Sequence, residues 1–402
     1  MKTLLEKVTK QLREVWHSPE PLLRTHTHRC ACRRPVFFRN SLCLACGAAL
    51  GYEPERAEVR ALLPGPKEGT WVLAGESDTA EVFRRCANLD TAAGCNWLLP
   101  AEHPSDLCVA CRLNRTIPDL SDADNCRYWR AIEKAKRRLV SQLLALGLPV
   151  QSKVEEDPER GVMFDFLRSP PEGPRIMTSH GNGLITLNVE EADDAVREKV
   201  RHDMHEPYRT LIGHFRHEIG HYYWDRLIAG TPWHEKFRAL FGDEREDYAA
   251  ALRRNYENGP PADWRDRYIT SYASVHPWED WAECFAQYLH LVDSLDTALG
   301  YGLHGDDIEV EVEPFVLEDL YEPDDPDAPR VLSLLNSWME LVTALNELAR
   351  CMGQQDFYPF VMPRPLLRKL HFIQLVVKSH REAAAAAESS PVSTAATPPA
   401  AV

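Results

Sequence analysis

His217-Glu218-Ile219-Gly220-His221 places two imidazoles four residues apart, with a carboxylate next to the first. On a helix that spacing puts both histidines on one face, where each can reach one metal ion at about 2.0–2.1 Å. Glu218 sits beside them and can take a proton from a water bound to that metal, which is the chemistry of metal-assisted hydrolysis. A chain of this composition would carry the pattern by chance about one time in twenty, so its surroundings decide its meaning. They read as a helix. Glu206-Pro207 opens it, and Leu211, Ile212, Phe215, Ile219, Tyr222, Tyr223 and Leu227 form an apolar stripe that ends at Gly230. His214, on the preceding turn, reads as a helix-face residue and takes no role.

A catalytic zinc takes three protein ligands and keeps one position open. The segment 271–283 (SYASVHPWEDWAE) is where a third ligand is sought. Pro277 starts a second helix there, with apolar positions at Trp278, Trp281, Phe285, Tyr288, Leu289 and Val292. Glu279 and Glu283 are four apart and share a face. Like charges at that spacing repel by about 0.2–0.5 kcal/mol, so something cationic is expected between them, and a metal with its histidines would serve. Glu279 has a second reading, as a first-turn acid favoured by the helix dipole. Glu283 lies beyond the first turn, so the dipole accounts for it less well.

The cysteines carry a different chemistry. Of eleven, eight fall between Cys30 and Cys111. Cys30-Ala-Cys32 and Cys43-Leu-Ala-Cys46 can give four thiolates to one tetrahedral zinc; because the first gap is one residue short, His28 or His26 can stand in for a thiolate. Cys86, Cys95, Cys108 and Cys111 form a second set. Two clustered tetrads in a chain with an odd cysteine count favour reduced thiolates around metal over a disulfide framework. Four-thiolate sites have no open position, so their role is structural. Cys126, Cys284 and Cys351 are scattered and read as small buried hydrophobes. Residues 26–115 hold 11 Lys/Arg against 10 Asp/Glu, which offers no footprint for a phosphate backbone. A protein-docking or substrate-presenting knob is the expectation for this module.

The elements that must position these groups follow from the rest of the chain. It has 402 residues, enough for two or three domains, with 44% hydrophobic and 27% charged residues, an ordinary globular balance. The net charge of −15 would repel nucleic acid and anionic membrane. No apolar run is long enough to span a bilayer, and Met1–Trp16 lacks an apolar core and cleavage site, so a soluble cytoplasmic protein is expected. Residues 1–25 read as an amphipathic helix and 26–121 as a zinc-ribbon module of small strands and knuckles. Residues 122–380 read as the catalytic domain and 381–402 as a disordered Ala/Ser/Thr/Pro tail. Within the third segment the patterns predict a helix over Asp122–Leu148, strands at Val162–Leu167 and Leu184–Val189 with a turn at Gly181-Asn182-Gly183 between them, and helices from Pro207 to about Lys378. An acidic, Pro-rich loop at 304–330 interrupts the last stretch.

Taken together, these segments resemble the bacterial family of zinc-binding metallopeptidases with an N-terminal zinc-ribbon region. The matching stretches are Cys43–Pro54 (CLACGAALGYEP), Cys86–Leu99 (CANLDTAAGCNWLL), Leu107–Asp122, His217–Trp224 (HEIGHYYW), Tyr272–His290 and Phe357–Phe360, spread over most of residues 28–380. The Cys30–Cys32 pair departs from the CxxC expected there. A wider resemblance is to gluzincin proteases of the lethal-factor toxin type, in which a Tyr, a ligand Glu seven residues on and a further Glu four beyond follow the HExxH helix. Tyr272, Glu279 and Glu283 stand at those intervals. The resemblance implies an oxyanion-stabilising Tyr272, a third zinc ligand in Glu279, and Glu283 as hydrogen-bond partner of a liganding histidine. It also implies an α+β zincin-like fold, mainly helical, with a small mixed sheet whose edge strand flanks the active-site helix. Leu184–Val189 is the candidate edge. One catalytic and two structural zinc ions, and a peptide or protein substrate, go with that reading. The rival readings are a DNA-associated zincin protease, which the acidic balance and a Glu third ligand disfavour, and a non-catalytic zinc scaffold.

Overall fold

The computed structural model describes residues 27–76, 81–170, 172–203, 208–303, 308, 310 and 313–389. The helix expected over 1–25, and His26, lie outside the described residues. The cysteine-rich segment opens with a two-stranded ribbon, β1 (His28–Arg29) and β2 (Pro35–Val36). A five-stranded antiparallel sheet follows in chain order: β3 (Leu50–Glu53), β4 (Glu58–Pro64), β5 (Thr70–Leu73), β6 (Phe83–Arg85) and β7 (Leu98–Pro100). The two cysteine sets form two compact tetrads, Cys30/Cys32/Cys43/Cys46 and Cys86/Cys95/Cys108/Cys111. Sulfur separations of 3.6 Å (Cys30–Cys46), 3.8 Å (Cys32–Cys43) and 3.7 Å (Cys95–Cys108) match the edge of about 3.8 Å that a tetrahedron with zinc–sulfur bonds of about 2.3 Å requires. In the first knuckle the backbone N–H groups of Cys46 and Ala45 bring the Cys43 thiol down to about 6, so the turn itself favours a thiolate. His28 is buried with its Nδ1 accepting the Val59 N–H, and it is not among the four donors that cluster here.

The segment ends in β8 (Asn114–Thr116), which leaves the ribbon and pairs parallel with β9 (Met163–Leu167). Between them runs α1 (Ala123–Ala145), capped by the Asp122 carboxylate on the Asp124 and Asn125 N–H groups. The resulting four-stranded mixed sheet has the order β10-β11-β9-β8, with β10 (Ser179–Gly181) antiparallel to β11 (Leu184–Asn188) and β11 parallel to β9. This corrects the expected edge. Leu184–Asn188 is internal, and the edge on that side is the short strand Ser179-His180-Gly181, all of it exposed. Asn182 (φ 47°) and Gly183 (φ 74°) form the two left-handed positions of a tight hairpin turn, which folds β10 back along β11.

After α2 (Asp194–Asp203), the HExxH helix α3 spans Leu211–Leu227. The Glu206-Pro207 pair expected to open it lies outside the described residues; Thr210 is the cap, its hydroxyl accepting the Gly213 N–H at 3.0 Å. Three shorter helices follow, α4 (Trp233–Phe241), α5 (Tyr248–Asn258) and α6 (Trp264–Arg267). They lead to α7 (Pro277–Gly300), with Pro277 in its first turn and the His276 Nδ1 accepting the Trp278 N–H. Helices α3 and α7 pack closely at Gly220, where an added Cβ would lie 3.1 Å from the Ala282 Cα and 3.3 Å from the Phe285 Cβ. The Trp281 indole N–H donates to the Gly220 carbonyl at 2.8 Å. That close approach lays the Glu279/Glu283 face against the His217/His221 face.

Helices α8 (Ala328–Cys351) and α9 (Arg364–Ser389) complete the helical layer. The described part of the 304–330 loop carries a 3₁₀ turn at Leu317–Asp319 that packs on these two helices. Helix α9 continues nine residues past the expected start of the tail at 381. The run Ala383–Ala387 explains this, since alanine is the strongest helix former; positions 390–402 lie outside the described residues. Cys284 is buried as expected, but Cys126 is only half-buried and Cys351, at the end of α8, is exposed. No helix among the described residues is long and apolar enough to cross a membrane.

Candidate metal centre

Three donor atoms converge between α3 and α7. The His217 and His221 Nε2 atoms are 3.2 Å apart, and the Glu279 Oε2 lies 3.1 Å from the first and 3.6 Å from the second. A tetrahedral zinc with bonds of about 2.0–2.1 Å needs donors about 3.3 Å apart. The Glu279 Oε2 is buried and makes no hydrogen bond, whereas its sister Oε1 accepts the Tyr248 hydroxyl at 2.8 Å. An orphaned carboxylate oxygen facing two imidazole nitrogens is costly unless a cation lies between them. Burial disfavours charge on His217, yet the carboxylates of Glu279 and Glu283 beside it outweigh burial and raise it well above the ordinary imidazole range. The donor set therefore fits a zinc ion.

The supporting contacts divide cleanly. The His217 Nδ1 meets the Glu283 Oε1 at 2.7 Å, and the other oxygen of Glu283 accepts the Thr270 hydroxyl at 2.9 Å. Glu283 thus touches a histidine and stands apart from the three-donor cluster. The Tyr272 ring lies 6.0 Å from the His217 ring and is hydrogen-bonded to Tyr248. Burial and the Glu279 charge push the Tyr272 hydroxyl far up, so it stays protonated and able to donate. His276 caps α7 and contacts the Glu246 carbonyl through Nε2, so it does not join the cluster.

Glu218 is 6% exposed and projects beside the three donors. Its Oε2 lies 3.4 Å from the Nδ1 of His180 and its Oε1 3.4 Å from the Nε2 of His214. Burial alone would raise its carboxyl, but these two partners and the charge of His217 hold it well below the usual carboxylate range. His180, on the edge strand β10, also stacks on His221 with ring centroids 3.7 Å apart. Sequence reasoning missed Tyr248, His180, His214 and Thr270. Of these only His214 carried a signal, since it precedes Glu218 by four residues on one helix.

His214 also meets the Glu191 Oε2 through Nδ1 at 2.7 Å. Burial lowers His214, but the charge and hydrogen bond of Glu191 prevail and raise it to about 9; Glu191 in turn falls to about 2 despite its burial. An imidazole raised on folding stabilises fully below its unfolded value of about 6.5 and loses that contribution as pH rises through about 9. A carboxylate lowered on folding stabilises above about 4.5 and loses that as pH falls through about 2. The pair is at full strength between about pH 4.5 and 6.5. His214→Gln is therefore expected to cost on the order of 2 kcal/mol, several degrees in Tm, at about pH 6, with the gap closing above about pH 9. Thermal denaturation of the zinc-loaded protein at both pH values measures this, and a gap that stays constant would refute the charged pair.

Comparison with known proteins adds two family matches. A family model described as putative zinc-binding metallo-peptidase matches residues 125–376, and one described as a zinc-ribbon domain matches residues 27–122. Uncharacterized proteins of Mycobacterium tuberculosis (strain ATCC 25618 / H37Rv) and Mycobacterium bovis (strain ATCC BAA-935 / AF2122/97) are each 42% identical to this chain over 348 residues, covering 86% of it and 93% of their own length. No solved structure matches.

Proposed function

The chain belongs to the putative zinc-binding metallo-peptidase family, and from that premise we propose that it hydrolyses peptide bonds at the centre between α3 and α7. The observation that carries this reading is the meeting of three donors at zinc-like spacing with an ionised, buried carboxylate, Glu218, beside them. His217, His221 and Glu279 would hold the zinc. When bound, zinc acts as a Lewis acid and lowers the pKa of a coordinated water to about 7. Glu218 accepts the proton of the attacking water and returns it to the leaving amine. Tyr272 donates its hydroxyl proton in a hydrogen bond to the oxyanion, and Glu283 fixes the tautomer and orientation of His217. The exposed edge β10 offers backbone groups to an extended peptide substrate, which would lie across His180.

The two thiolate tetrads each take a structural zinc, and their free thiols suit a reducing compartment, the cytoplasm. A purely structural scaffold has no use for a buried base held by two histidines, and this favours catalysis. Peptide or protein substrates are the expected partners; neither a membrane nor a DNA duplex is part of the reading. Elemental analysis should find three zinc ions per chain, and His217→Ala should lose one of them. New N-termini released from a cell proteome by the wild-type protein should be absent with His217→Ala. At most one metal per chain with free thiols, or identical cleavage by both proteins, would overturn the proposal.

A further inference from the structure

Arg127, Arg130, Lys134 and Arg137 recur along α1 at spacings of three, four and three, so they share one face of the helix. Neighbouring like charges at that spacing destabilise a helix unless counter-charge is supplied. A cavity of about 360 Å³ opens over this face. Arg39, just beyond β2, and Ala93 and Gly94, beside Cys95, line it together with the helix. Five cations and no carboxylate line the cavity, in a chain whose net charge is −15.

Some of this charge is answered within the protein. Arg127 pairs with Asp124 at 2.9 Å and lies 3.8 Å from Asp193. Arg137 faces the thiolates of the second tetrad and lies 3.7 Å from the Glu133 Oε2. Among the described residues no ion pair involves Arg39, Arg130 or Lys134. Arg137 is 5% exposed: its Nη1 is the atom that faces the Glu133 carboxylate at 3.7 Å, and its Nη2 donates to the Ala93 carbonyl at 3.1 Å. Arg130 donates from Nε to the Ala92 carbonyl at 3.1 Å. Two guanidinium groups are thus held in place by the knuckle backbone, Arg130 at the exposed rim of the cavity and Arg137 buried at its wall. Such pre-set forks suit the oxygens of a tetrahedral oxyanion.

We propose that this cavity, between the zinc ribbon and the first helix of the peptidase segment, binds a phosphate-bearing small molecule. Its volume falls in the range of about 300–1,000 Å³ typical of small-ligand sites. The basic face, from 127 to 137, runs about 15 Å along the helix, long enough for more than one phosphoryl group. Arg130 takes phosphoryl oxygens by its terminal N–H donors, Arg39 and Lys134 add charge beside it, and Arg137 adds charge from the buried wall. The site uses no residue of the metal centre.

Isothermal titration of the zinc-loaded full chain with inorganic pyrophosphate and with inorganic phosphate tests this, with zinc content checked after each run. Saturable 1:1 binding is expected, tighter for pyrophosphate and weakening as salt is raised. The surface double variant Arg130→Glu/Lys134→Glu should lose about tenfold or more in affinity. Arg137→Gln should weaken binding too; if that variant fails to fold, the double variant still decides the matter. Equal binding by the wild type and the double variant, or no saturable binding by the wild type, would overturn the proposal. So would an oligoglutamate peptide that binds as tightly as pyrophosphate, because the face would then recognise acidic protein segments.

Discussion

Glu218→Gln should leave all three zinc ions in place and lower peptide hydrolysis by about 10²–10⁴-fold or more. The amide has nearly the volume of the carboxylate, so the packing between α3 and β10 survives. It cannot accept a proton, however, and the water loses its base. Burial makes the wild-type carboxylate expensive to keep ionised, and His180 and His214, each 3.4 Å away, are what hold it charged. Single-turnover cleavage of a verified substrate, with zinc counted in the same preparation, separates loss of the base from loss of the metal. Wild-type rates in the variant would show that the proton goes elsewhere and that the proposed mechanism is wrong.

The parts of this centre that lie on one helix were legible in the sequence, and the parts that need tertiary contact were not. His217, Glu218 and His221 are related by helical spacing alone, and Glu279 and Glu283 by the same rule on a second helix. Gly220 carries no chemistry of its own, yet its missing side chain lets Ala282 and Phe285 come close enough to bring the two faces together. Tyr248 reaches Glu279 from α5, a helix with no motif, so only the fold reveals the contact. The edge strand escaped for a different reason. Ser179-His180-Gly181 is short, polar and exposed, and it lacks the alternation that marks a half-buried strand; the apolar stretch Leu184–Val189 beside it carries the pattern and so points to itself as the edge. The cysteine tetrads were legible because metal ligation demands a residue type as well as a spacing. The basic face of α1 comes from four cations at helical spacing, but the knuckle that lines the cavity with it comes from residues more than thirty positions earlier.

Glu279 and Glu283 should behave differently although they sit one helical turn apart. The Oε2 of Glu279 lies within 3.6 Å of both Nε2 atoms and has no other partner, whereas Glu283 reaches only the far side of His217. Glu279→Ala would therefore remove one of three ligands and leave the cation facing a void. Glu283→Ala would leave three ligands but free the His217 ring to turn, a loss that typically costs about 10–100-fold in metal affinity or activity. Tyr248→Phe should fall with Glu283→Ala, because a hydrogen bond to a charged group contributes about 1.5–3 kcal/mol, roughly the same factor. Its loss frees the Glu279 carboxylate to turn away from the position in which Oε2 faces the two histidines. Dissociation constants for the catalytic zinc, measured by competition with a chelator after the tetrad zincs have been counted separately, should rank the wild type tightest, Glu283→Ala and Tyr248→Phe intermediate, and Glu279→Ala weakest by more than about 100-fold. If Glu283→Ala loses the metal while Glu279→Ala keeps it, the two roles are reversed. If both keep it with unchanged affinity, the third ligand is neither of them. His276 could then serve only by giving up its cap on α7, which would register as a loss of helix stability on adding zinc.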